Sequence, residues 1–352
     1  MIRELDAYLR KCIEEKSMPG CVCWAGNLES AFFFKAHGLK QVVPQKAEMR
    51  KDTVFDIASL TKPICTALSV MMLHERKLLD IDQRIADTIP SLRRTRSADV
   101  TLRQLLTHIS GLPAWFPTYL LPKERRLEAI CDLNTGLRQT VYSCLGYIVL
   151  QHVIEHVSGQ GVDRFFSDNV ASRFGLRTLA FGPLNDPGAA AATEMGNEHE
   201  KEMACKHGDV SGIRWRDRLI QGEVHDGNAH YAYQGVAGNA GLFSNAADLA
   251  GFARALLTGR IVKQETMKLM ITDHTGGEEK RAFGWRVDPY PGLLSPLSIG
   301  HTGFTGTMLC VDPEANLIII LLANAIHPEV RLSVMQPVRR EVVRLISRKV
   351  RR

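Results

Sequence analysis

The first part of the chain passes from helical to alternating patterns of apolar residues. Apolar side chains three or four positions apart predict a helix over 2–16, and alternating runs predict strands over 21–26 and 31–37. A further extended piece over 53–57 leads into a strongly apolar helix that begins near Ser59. The chain is therefore expected to start with a helix and strands and to turn helical at Ser59.

The middle of the chain is mainly helical in pattern. It predicts a short helix and turn over 80–90, a helix over 101–113 and a longer helix over 144–157. Asn245 begins another helix, with an acidic residue three positions later that would complete a capping box. Residues 182–240 are rich in Gly, Ala, Asn and His and lack periodicity, which predicts a long irregular segment of the kind that often carries function.

Apolar strands return in the last third of the chain. The pattern predicts strands over 282–287, 297–300, 308–311 and 317–323, and then an amphipathic basic helix over 331–352. Strands at both ends with helices between them predict an α/β (α+β) fold. In it, one antiparallel sheet is built from both termini and flanked by helices, and a helical lobe is inserted between its two halves.

The expected organisation is a single unit of two lobes spanning 1–352. An α/β lobe would be formed by 1–57 and 275–352, and a helical lobe by 58–274. We expect a cleft between the lobes, and ligands commonly bind in clefts of that kind.

Composition and charge limit the partners that this chain could have. Of its 352 residues, 45% are apolar and 23% are charged, as in ordinary globular proteins, and the net charge is +6. Residues 331–352 hold eight basic side chains against one acidic side chain, so the rest of the chain is nearly neutral and no nucleic-acid partner is expected. No apolar run is long enough to span a membrane and no signal peptide is recognisable, which predicts a cytoplasmic protein.

The cysteines and histidines do not form a familiar metal-binding pattern. The eight cysteines are scattered, and Cys21 and Cys23 fall on the same side of a predicted strand, which suits free buried thiols. One competing pattern, of the inverted zinc-protease type, reads His152-Val-Ile-Glu155-His156. It falls on the polar face of a predicted helix, so we expect no metal and no cofactor.

The strongest chemical signal is the stretch Ser59-Leu-Thr-Lys62, which is the only Ser-x-x-Lys in the chain. A serine hydroxyl is a poor nucleophile until a neighbouring base activates it, and residues three apart on a helix share a face. Pro63 fits only in the first helical turn, which places Ser59 where the helix N-terminus favours a developing oxyanion.

Two further stretches carry side chains suited to the same chemistry. Tyr142 precedes a predicted helix and could serve as a phenolate base or proton relay if cations lowered its pKa. His301 lies in the glycine-rich stretch from Gly300 to Gly306, where a backbone N–H could approach an oxyanion. His301 itself could bind the substrate or its leaving group.

Taken together, these stretches resemble the three motifs of the serine β-lactamase and penicillin-binding-protein superfamily. They read Ser59-Leu-Thr-Lys62, Tyr142-Ser-Cys144 and His301-Thr-Gly303. The resemblance is greatest to class C β-lactamases, D,D-peptidases and family VIII esterases, and residues 222–229 are similar to a narrower branch of uncharacterised or cell-wall-fragment hydrolases. It covers nearly the whole chain and implies the same two-lobed fold.

The resemblance implies catalytic roles for the matching residues. Ser59 would be the acylated nucleophile and Lys62 its activating partner. Tyr142 would be the general base in acylation and the general acid towards the leaving group. The backbone N–H groups of Ser59 and Phe304 would form the oxyanion hole.

The resemblance also implies a set of substrate-binding residues, which are Cys144, His301, Thr302 and Gly303. His301 would orient the Tyr142 hydroxyl or bind a substrate carboxylate. Where this chain has Cys144, relatives commonly carry asparagine, or aspartate in some hydrolases. An asparagine there donates to an amide within the acyl group of penicillins and peptides. A thiol is a weak donor and replaces that contact poorly.

The expected function is therefore a serine hydrolase that acts on a small-molecule ester, β-lactam or peptide-like substrate, with an ester favoured. The alternatives are a class C-type β-lactamase, or a D,D-peptidase or muropeptide amidase. A non-enzymatic penicillin-binding sensor or scaffold is a further alternative, although a scaffold would need none of Ser59, Lys62 and Tyr142.

Overall fold

The structure is a computed structural model that describes residues 2–331 and 334–350. Its α-helices, in chain order, are α1 (Ile2–Glu14), α2 (Leu68–Glu75), α3 (Ile85–Thr88), α4 (Leu102–Leu106), α5 (Arg126–Asp132), α6 (Cys144–Ser158), α7 (Val162–Phe166), α8 (Glu198–Ala204), α9 (Ala246–Leu257), α10 (Gln264–Ile271) and α11 (Met335–Val350). Its strands are β1 (Gly20–Gly26), β2 (Ala31–Gln41), β3 (Ala47–Glu48), β4 (Phe55–Asp56), β5 (Ala180–Phe181), β6 (Leu242–Ser244), β7 (Arg286–Val287), β8 (Ile299–Thr302), β9 (Met308–Asp312) and β10 (Leu317–Ala323).

A seven-stranded sheet joins the two ends of the chain. Its strand order is β3-β2-β1-β10-β9-β8-β7, and all neighbouring strands are antiparallel. β1 and β10 pair in the middle, from Cys21 opposite Ala323 to Gly26 opposite Ile318. The predicted fold class, an antiparallel sheet built from both termini and flanked by helices, is confirmed. A smaller sheet, β4-β6-β5, lies beside the predicted nucleophile.

The central strand β10 is buried on both faces, which explains its uninterrupted apolar sequence. Its even-numbered residues over 318–322 belong to a large core that includes side chains of α2, α6 and α9. Its odd-numbered residues over 317–323 belong to a second core with α1 and α11. The terminal helices therefore cover one face of the sheet, and the helices from the middle of the chain cover the other.

The carboxyl-terminal helix α11 has the predicted apolar stripe, with Val342, Val343 and Ile346 fully buried. Of its predicted range 331–352, residues 332, 333, 351 and 352 lie outside the described residues. One of its basic side chains is not at the surface, because Arg339 is only 8% exposed.

Several elements differ in length from the sequence predictions. The helix predicted over 101–113 stops at α4, because His108 adopts a left-handed conformation with φ +61°. The strand predicted over 282–287 is reduced to β7, because Gly284 turns the chain with φ +79°. β8 begins and ends two residues later than the predicted 297–300, so the strand includes His301.

The segment over 182–240 is mostly irregular, as predicted, but it contains α8. Buried polar side chains hold it in place. The Arg216 guanidinium is 6% exposed and donates to the Asn197 side chain at 2.7 Å and to the carbonyl oxygens of Val224 at 2.7 Å and His225 at 2.9 Å. Because such contacts involve polar side chains, hydrophobic periodicity gives no sign of them.

The start of α9 only partly matches its prediction. The Asn245 side chain accepts a hydrogen bond from the Asp248 N–H at 2.8 Å, so Asn245 is the N-cap. The reciprocal half of the predicted capping box is absent, because the Asp248 carboxylate instead accepts from the N–H and hydroxyl of Thr178.

The free, buried state predicted for Cys21 and Cys23 is confirmed. In the part of the chain that the structure describes, no helix is both long and apolar enough to cross a membrane. The predicted cytoplasmic location and the predicted division into two lobes remain predictions.

Candidate active site

The chain around Ser59 changes helix type within a few residues. Ala58–Leu60 is a 3-10 turn, Lys62–Ala67 is π-helical, and α2 continues from it. Ala58 has φ +48°, a left-handed conformation that alanine rarely adopts, so the chain bends sharply just before Ser59. The helical register places Lys62 Nζ 3.0 Å from Ser59 Oγ, as the spacing of the motif predicts.

The Lys62 ammonium group is fully buried and is held by oxygen atoms. Besides the serine hydroxyl, Nζ donates to the carbonyl oxygen of Asn239 at 3.0 Å, and the residue has 0% exposure. Burial by itself lowers the pKa of Lys62, whereas the adjacent Cys144 and Tyr142 raise it when they are ionised, and the net pKa lies above its ordinary value. Lys62 is therefore a cation whenever Tyr142 is a phenolate.

The loop before β6 positions the Asn239 carbonyl through contacts with α6. Gln151 accepts from the Gly238 N–H at 2.9 Å and donates to the Val236 carbonyl at 3.3 Å. A Cβ at Gly238 would lie only 2.1 Å from the Tyr147 carbonyl oxygen, so this close approach requires glycine. Gln151 is only 4% exposed, because it faces this loop.

Tyr142 enters the site from the loop before α6. Ser143 fixes this loop by donating its hydroxyl to the Pro113 carbonyl at 2.7 Å and its N–H to His108 Nδ1 at 3.0 Å. The Tyr142 hydroxyl is buried and makes no hydrogen bond of standard geometry with any described residue. Burial raises the pKa of Tyr142 and Lys62 partly opposes the rise, so the phenolate is a minority form at neutral pH.

The turn between β8 and β9 packs directly against the chain that leads to Ser59. The Thr307 hydroxyl donates to the Ile57 carbonyl at 3.2 Å. A Cβ at Gly303 would lie 2.6 Å from that same oxygen, so only glycine allows this contact. Phe304, whose N–H is the predicted second oxyanion donor, follows immediately.

His301 lies at the end of β8 with its ring centroid 5.8 Å from that of Tyr142. Its Nδ1 is 2.9 Å from the Thr302 carbonyl oxygen. Burial, and then the charges of Lys62 and Arg281, lower the pKa of His301 to about 3. An uncharged imidazole at neutral pH favours the first of its two predicted roles, orienting Tyr142, over the binding of a carboxylate.

The Asp56 carboxylate links the parts of the site, and the sequence analysis did not identify this role. Its two oxygens accept from the N–H groups of Ala58 and His225, each at 2.8 Å. The Asp56 carbonyl accepts from the Thr305 hydroxyl at 2.7 Å. Asp56 therefore ties the bend before Ser59 to the irregular segment and to the β8–β9 turn.

A cavity of about 430 Å³ opens beside these groups. The predicted site residues that line it are Ser59, Tyr142, His301, Thr302, Gly303 and Phe304. Lys62 lies behind the serine, and Cys144, which is half-buried beside Lys62, is not among the lining residues. Residues from three distant stretches of the chain thus meet at one surface.

Four arginines that the sequence analysis did not single out also line this cavity, and two of them contact predicted site residues. The Arg339 guanidinium donates to the carbonyl oxygens of Gly303 at 2.8 Å and Thr307 at 3.2 Å, which clamps the β8–β9 turn from α11. The Arg281 guanidinium lies 5.5 Å from the centroid of the Tyr142 ring. The basic composition of the carboxyl terminus was visible in the sequence, but it does not indicate which arginine points inward.

The competing zinc pattern lies on α6, away from the lining of this cavity. His152 Nδ1 is 3.5 Å from a Glu155 carboxylate oxygen. Within 2–331 and 334–350, no group of three or more His, Cys, Asp or Glu side chains is arranged to hold a metal ion.

The chain also matches a known protein family along most of its length. The sequence profile of the family described as Beta-lactamase matches residues 5–344. The chain belongs to the β-lactamase family. The family and the relatives below indicate a hydrolase of the β-lactamase and penicillin-binding-protein type.

Two curated relatives of this β-lactamase-family chain match along most of its length. A protein of Escherichia coli (strain K12), described as a putative D-alanyl-D-alanine carboxypeptidase, is 31% identical over 324 residues, which cover 82% of this chain and 73% of the relative. The N-acetylmuramyl-L-alanine amidase of Bacillus subtilis (strain 168) is 29% identical over 334 residues, which cover 85% of this chain and 74% of the relative.

Solved structures show the same fold. EstCE1, described as a hydrolase with promiscuous acyltransferase activity, superposes with a TM-score of 0.73 at 20% identity, covering 98% of this chain and 97% of that chain. The class C β-lactamase of Rhodobacter sphaeroides superposes with a TM-score of 0.70 at 19% identity, covering 98% and 97%. At these identities the likeness concerns the fold alone.

The linking role of Asp56 generates the first prediction. In Asp56→Asn, an NH2 group faces either the Ala58 N–H or the His225 N–H, so one hydrogen bond is lost and two donors oppose each other. A lost hydrogen bond to a charged group is worth about 1–3 kcal/mol. We therefore expect the rate of Ser59 labelling by a fluorophosphonate to fall roughly tenfold to a hundredfold, measured by intact-protein mass spectrometry.

The control is Asp52→Asn, because the Asp52 side chain is 71% exposed and its change is chemically the same. It should label at the wild-type rate. Equal labelling of Asp56→Asn and wild type would contradict the linking role.

Proposed function

We propose that this protein is a serine amidase that forms an acyl-enzyme on Ser59 and hydrolyses the amide bond between an acyl group and a peptide amine. The observation that supports this most directly is the 3.0 Å contact between the fully buried Lys62 Nζ and Ser59 Oγ. Burying an ammonium group costs free energy, so such a contact favours a chemical role over a structural one.

In acylation, the Ser59 proton passes to Tyr142. A charged Lys62 has no lone pair and cannot accept this proton, so the Tyr142 phenolate is the base and the ammonium stabilises it. As Oγ bonds to the carbonyl carbon, the C=O electron pair moves to oxygen, where the N–H groups of Ser59 and Phe304 stabilise the negative charge. When the tetrahedral intermediate collapses, the amine leaves with the proton from Tyr142, which restores the phenolate.

Deacylation repeats these steps with water in place of the amine. Tyr142 takes a proton from the attacking water, and the same two N–H groups hold the second oxyanion. The C–Oγ bond then breaks, and Ser59 regains its proton from Tyr142, so the enzyme is ready for another cycle. Each group thus acts twice in one turnover.

The choice of substrate rests on Cys144 and on the relatives. The B. subtilis relative is named for the amide bond between an N-acetylmuramyl group and L-alanine. The acyl part of that bond is a lactyl group with an ether oxygen, and it has no amide beside the scissile carbonyl. The E. coli relative is named for a peptide bond, whose acyl part does carry such an amide. Because Cys144 is a weak donor for an acyl-side amide, it favours the first kind of substrate.

A simple ester is the second candidate substrate, because it also lacks an acyl-side amide and would not need a donor at position 144. The two candidates differ in the leaving group, which is an amine in one and an alcohol in the other. Hydrolysis of 2-methoxypropanoyl-L-alanine supports the amidase, whereas turnover of aryl esters alone supports the esterase.

Covalent labelling tests the nucleophile. A fluorophosphonate should add one phosphonyl group to the wild type, and peptide mapping should place it on Ser59, because Ser59 is the serine that contacts Lys62. Ser59→Ala should not label, whereas the matched change at an exposed serine, Ser211→Ala, should label fully. Equal labelling of Ser59→Ala would refute the assignment, and labelling without any turnover would favour the sensor.

The pH dependence of acylation tests the base. Because the pKa of Tyr142 is raised, the reactive phenolate is scarce at neutral pH and grows as pH rises. The labelling rate should therefore increase about tenfold per pH unit above pH 6, until the pH approaches the pKa of Tyr142. Tyr142→Phe should be slow and independent of pH, and a wild-type rate that is flat from pH 6 to 9 would exclude Tyr142 as the base.

Replacement of Cys144 tests the substrate choice. Cys144→Asn supplies the missing amide donor. For substrates with an acyl-side amide, such as a cephalosporin or a peptide whose amino group is acylated, kcat/KM should therefore rise roughly tenfold to a hundredfold. For 2-methoxypropanoyl-L-alanine, which lacks that amide, kcat/KM should change less than threefold. Efficient cephalosporin hydrolysis by the wild type, with no gain in Cys144→Asn, would contradict this reading.

A further inference from the structure

His108 has a strained backbone conformation close to the active site. Its φ is +61°, in the left-handed region that residues with a Cβ rarely adopt. The residue is 2% exposed and does not line the cavity beside Ser59, so it is not placed to touch a substrate there. A strained conformation of this kind persists only where the surrounding contacts maintain it.

His108 holds the loop on both sides of Tyr142. The carbonyl oxygen of His108 accepts a hydrogen bond from the Val141 N–H at 2.8 Å. The Nδ1 atom of the His108 ring accepts a hydrogen bond from the Ser143 N–H at 3.0 Å. One residue therefore fastens both neighbours of Tyr142, the first through its backbone and the second through its side chain.

The His108 ring also contacts Tyr142 itself. The centroids of the two rings are 4.8 Å apart and the ring planes are inclined by 44°, a favourable arrangement for an aromatic pair. On α6, the ring of Tyr147 lies 5.1 Å from the His108 ring and donates its hydroxyl to the Leu106 carbonyl at 2.9 Å. The imidazole that supports Tyr142 is thus itself packed against α6.

The imidazole of His108 is neutral and carries its proton on Nε2. Burial, and then the charges of Arg281 and Lys62, lower the pKa of His108 well below its ordinary value. Because Nδ1 accepts an N–H, the single proton of the neutral ring is on Nε2. The Nε2 atom is buried and makes no hydrogen bond with any described residue. A buried donor without an acceptor is uncommon in folded proteins, so His108 is unfavourable in two respects.

We propose that His108 is a positioning residue, which holds the Tyr142 ring beside Lys62 so that its hydroxyl can take the proton of Ser59. The Lys62 Nζ atom lies 5.0 Å from the centroid of the Tyr142 ring. A loop that was not fastened on both sides of Tyr142 would let the ring move away from this ammonium group. The inference rests on the proposed role of Tyr142 as the base in acylation.

The loss of this support has a predictable electrostatic effect. The charged and titratable groups that face Tyr142 are Lys62, Cys144, Arg281 and His301. Burial raises the pKa of Tyr142, and Lys62 opposes that rise. A ring held less closely to Lys62 would have a higher pKa, so less phenolate would be present at a given pH.

His108→Gly tests the role of the side chain, because glycine adopts the left-handed conformation without strain. The rate of Ser59 labelling by a fluorophosphonate should fall roughly tenfold to a hundredfold at neutral pH. The rise of that rate with pH should also extend to higher pH than in the wild type. The matched control is Lys77→Gly, since Lys77 is exposed and left-handed with φ +59°, and it should label at the wild-type rate.

The conservative variant His108→Asn should restore part of the lost rate. Asparagine tolerates the left-handed conformation, and its Oδ1 can accept the Ser143 N–H in place of Nδ1. Its labelling rate should therefore lie between the rates of His108→Gly and the wild type, because only the contact between the two rings is lost.

A double-mutant cycle separates positioning from a general loss of structure. In a Tyr142→Phe background, His108→Gly should slow the residual labelling no further, because the group that it positions is already absent. The same loss in both backgrounds, or a wild-type rate and pH profile in His108→Gly, would overturn the positioning role. If circular dichroism shows that His108→Gly is unfolded, His108→Asn takes its place in the cycle, and a wild-type rate in that variant would overturn the role equally.

Two further results distinguish this inference from the proposed function. If Tyr142→Phe is slow but His108→Gly labels normally, only the role of His108 is overturned, whereas normal labelling of Tyr142→Phe would remove Tyr142 as the base. Nuclear magnetic resonance of isotope-labelled tyrosine, with the Tyr142 signal assigned by its loss in Tyr142→Phe, gives a measurement that needs no turnover. The Tyr142 signal should titrate at higher pH in His108→Gly than in the wild type, and an unchanged titration would contradict the inference.

Discussion

The site depends on keeping one charged lysine out of contact with water. An ammonium group buried as fully as Lys62 is costly unless oxygen atoms surround it, and the structure supplies Ser59 Oγ and the Asn239 carbonyl at 3.0 Å each. The carbonyl is in place only because Gln151 and Gly238 anchor its loop to α6. The contact between Lys62 and Ser59 therefore requires the helix, the loop and α6 to pack together.

A second constraint is the short distance between the chain before Ser59 and the turn after β8. Gly303 has no Cβ to prevent this approach, and the Arg339 guanidinium donates a hydrogen bond to the carbonyl oxygen of Gly303 in this turn. The Asp56 carboxylate holds the bend that presents Ser59, while its carbonyl binds the same turn. The two backbone N–H groups proposed for the oxyanion hole therefore belong to segments that are fastened to each other, which fits a site organised before substrate arrives.

The sequence was sufficient where the determining forces are local. Residues three apart on a helix must share a face, so the contact between Ser59 and Lys62 was predictable, and the uninterrupted apolar run of β10 indicated a buried strand. Long-range polar contacts were not predictable. Asp56 binds His225, which is 169 residues further along the chain, and neither residue has a pattern that announces the other. Arg339 differs from the solvent-facing arginines of α11 only in its position relative to the sheet, which composition cannot reveal.

The measurement that tests this account most directly is a crystal structure of the protein trapped with a phosphonate analogue of the tetrahedral intermediate. The account predicts a covalent bond from phosphorus to Ser59 Oγ and a phosphonyl oxygen within about 3.2 Å of the N–H groups of Ser59 and Phe304. It also predicts that the Tyr142 hydroxyl lies within hydrogen-bonding distance of the leaving-group oxygen. An adduct on another residue, or a phosphonyl oxygen directed away from both N–H groups, would contradict it.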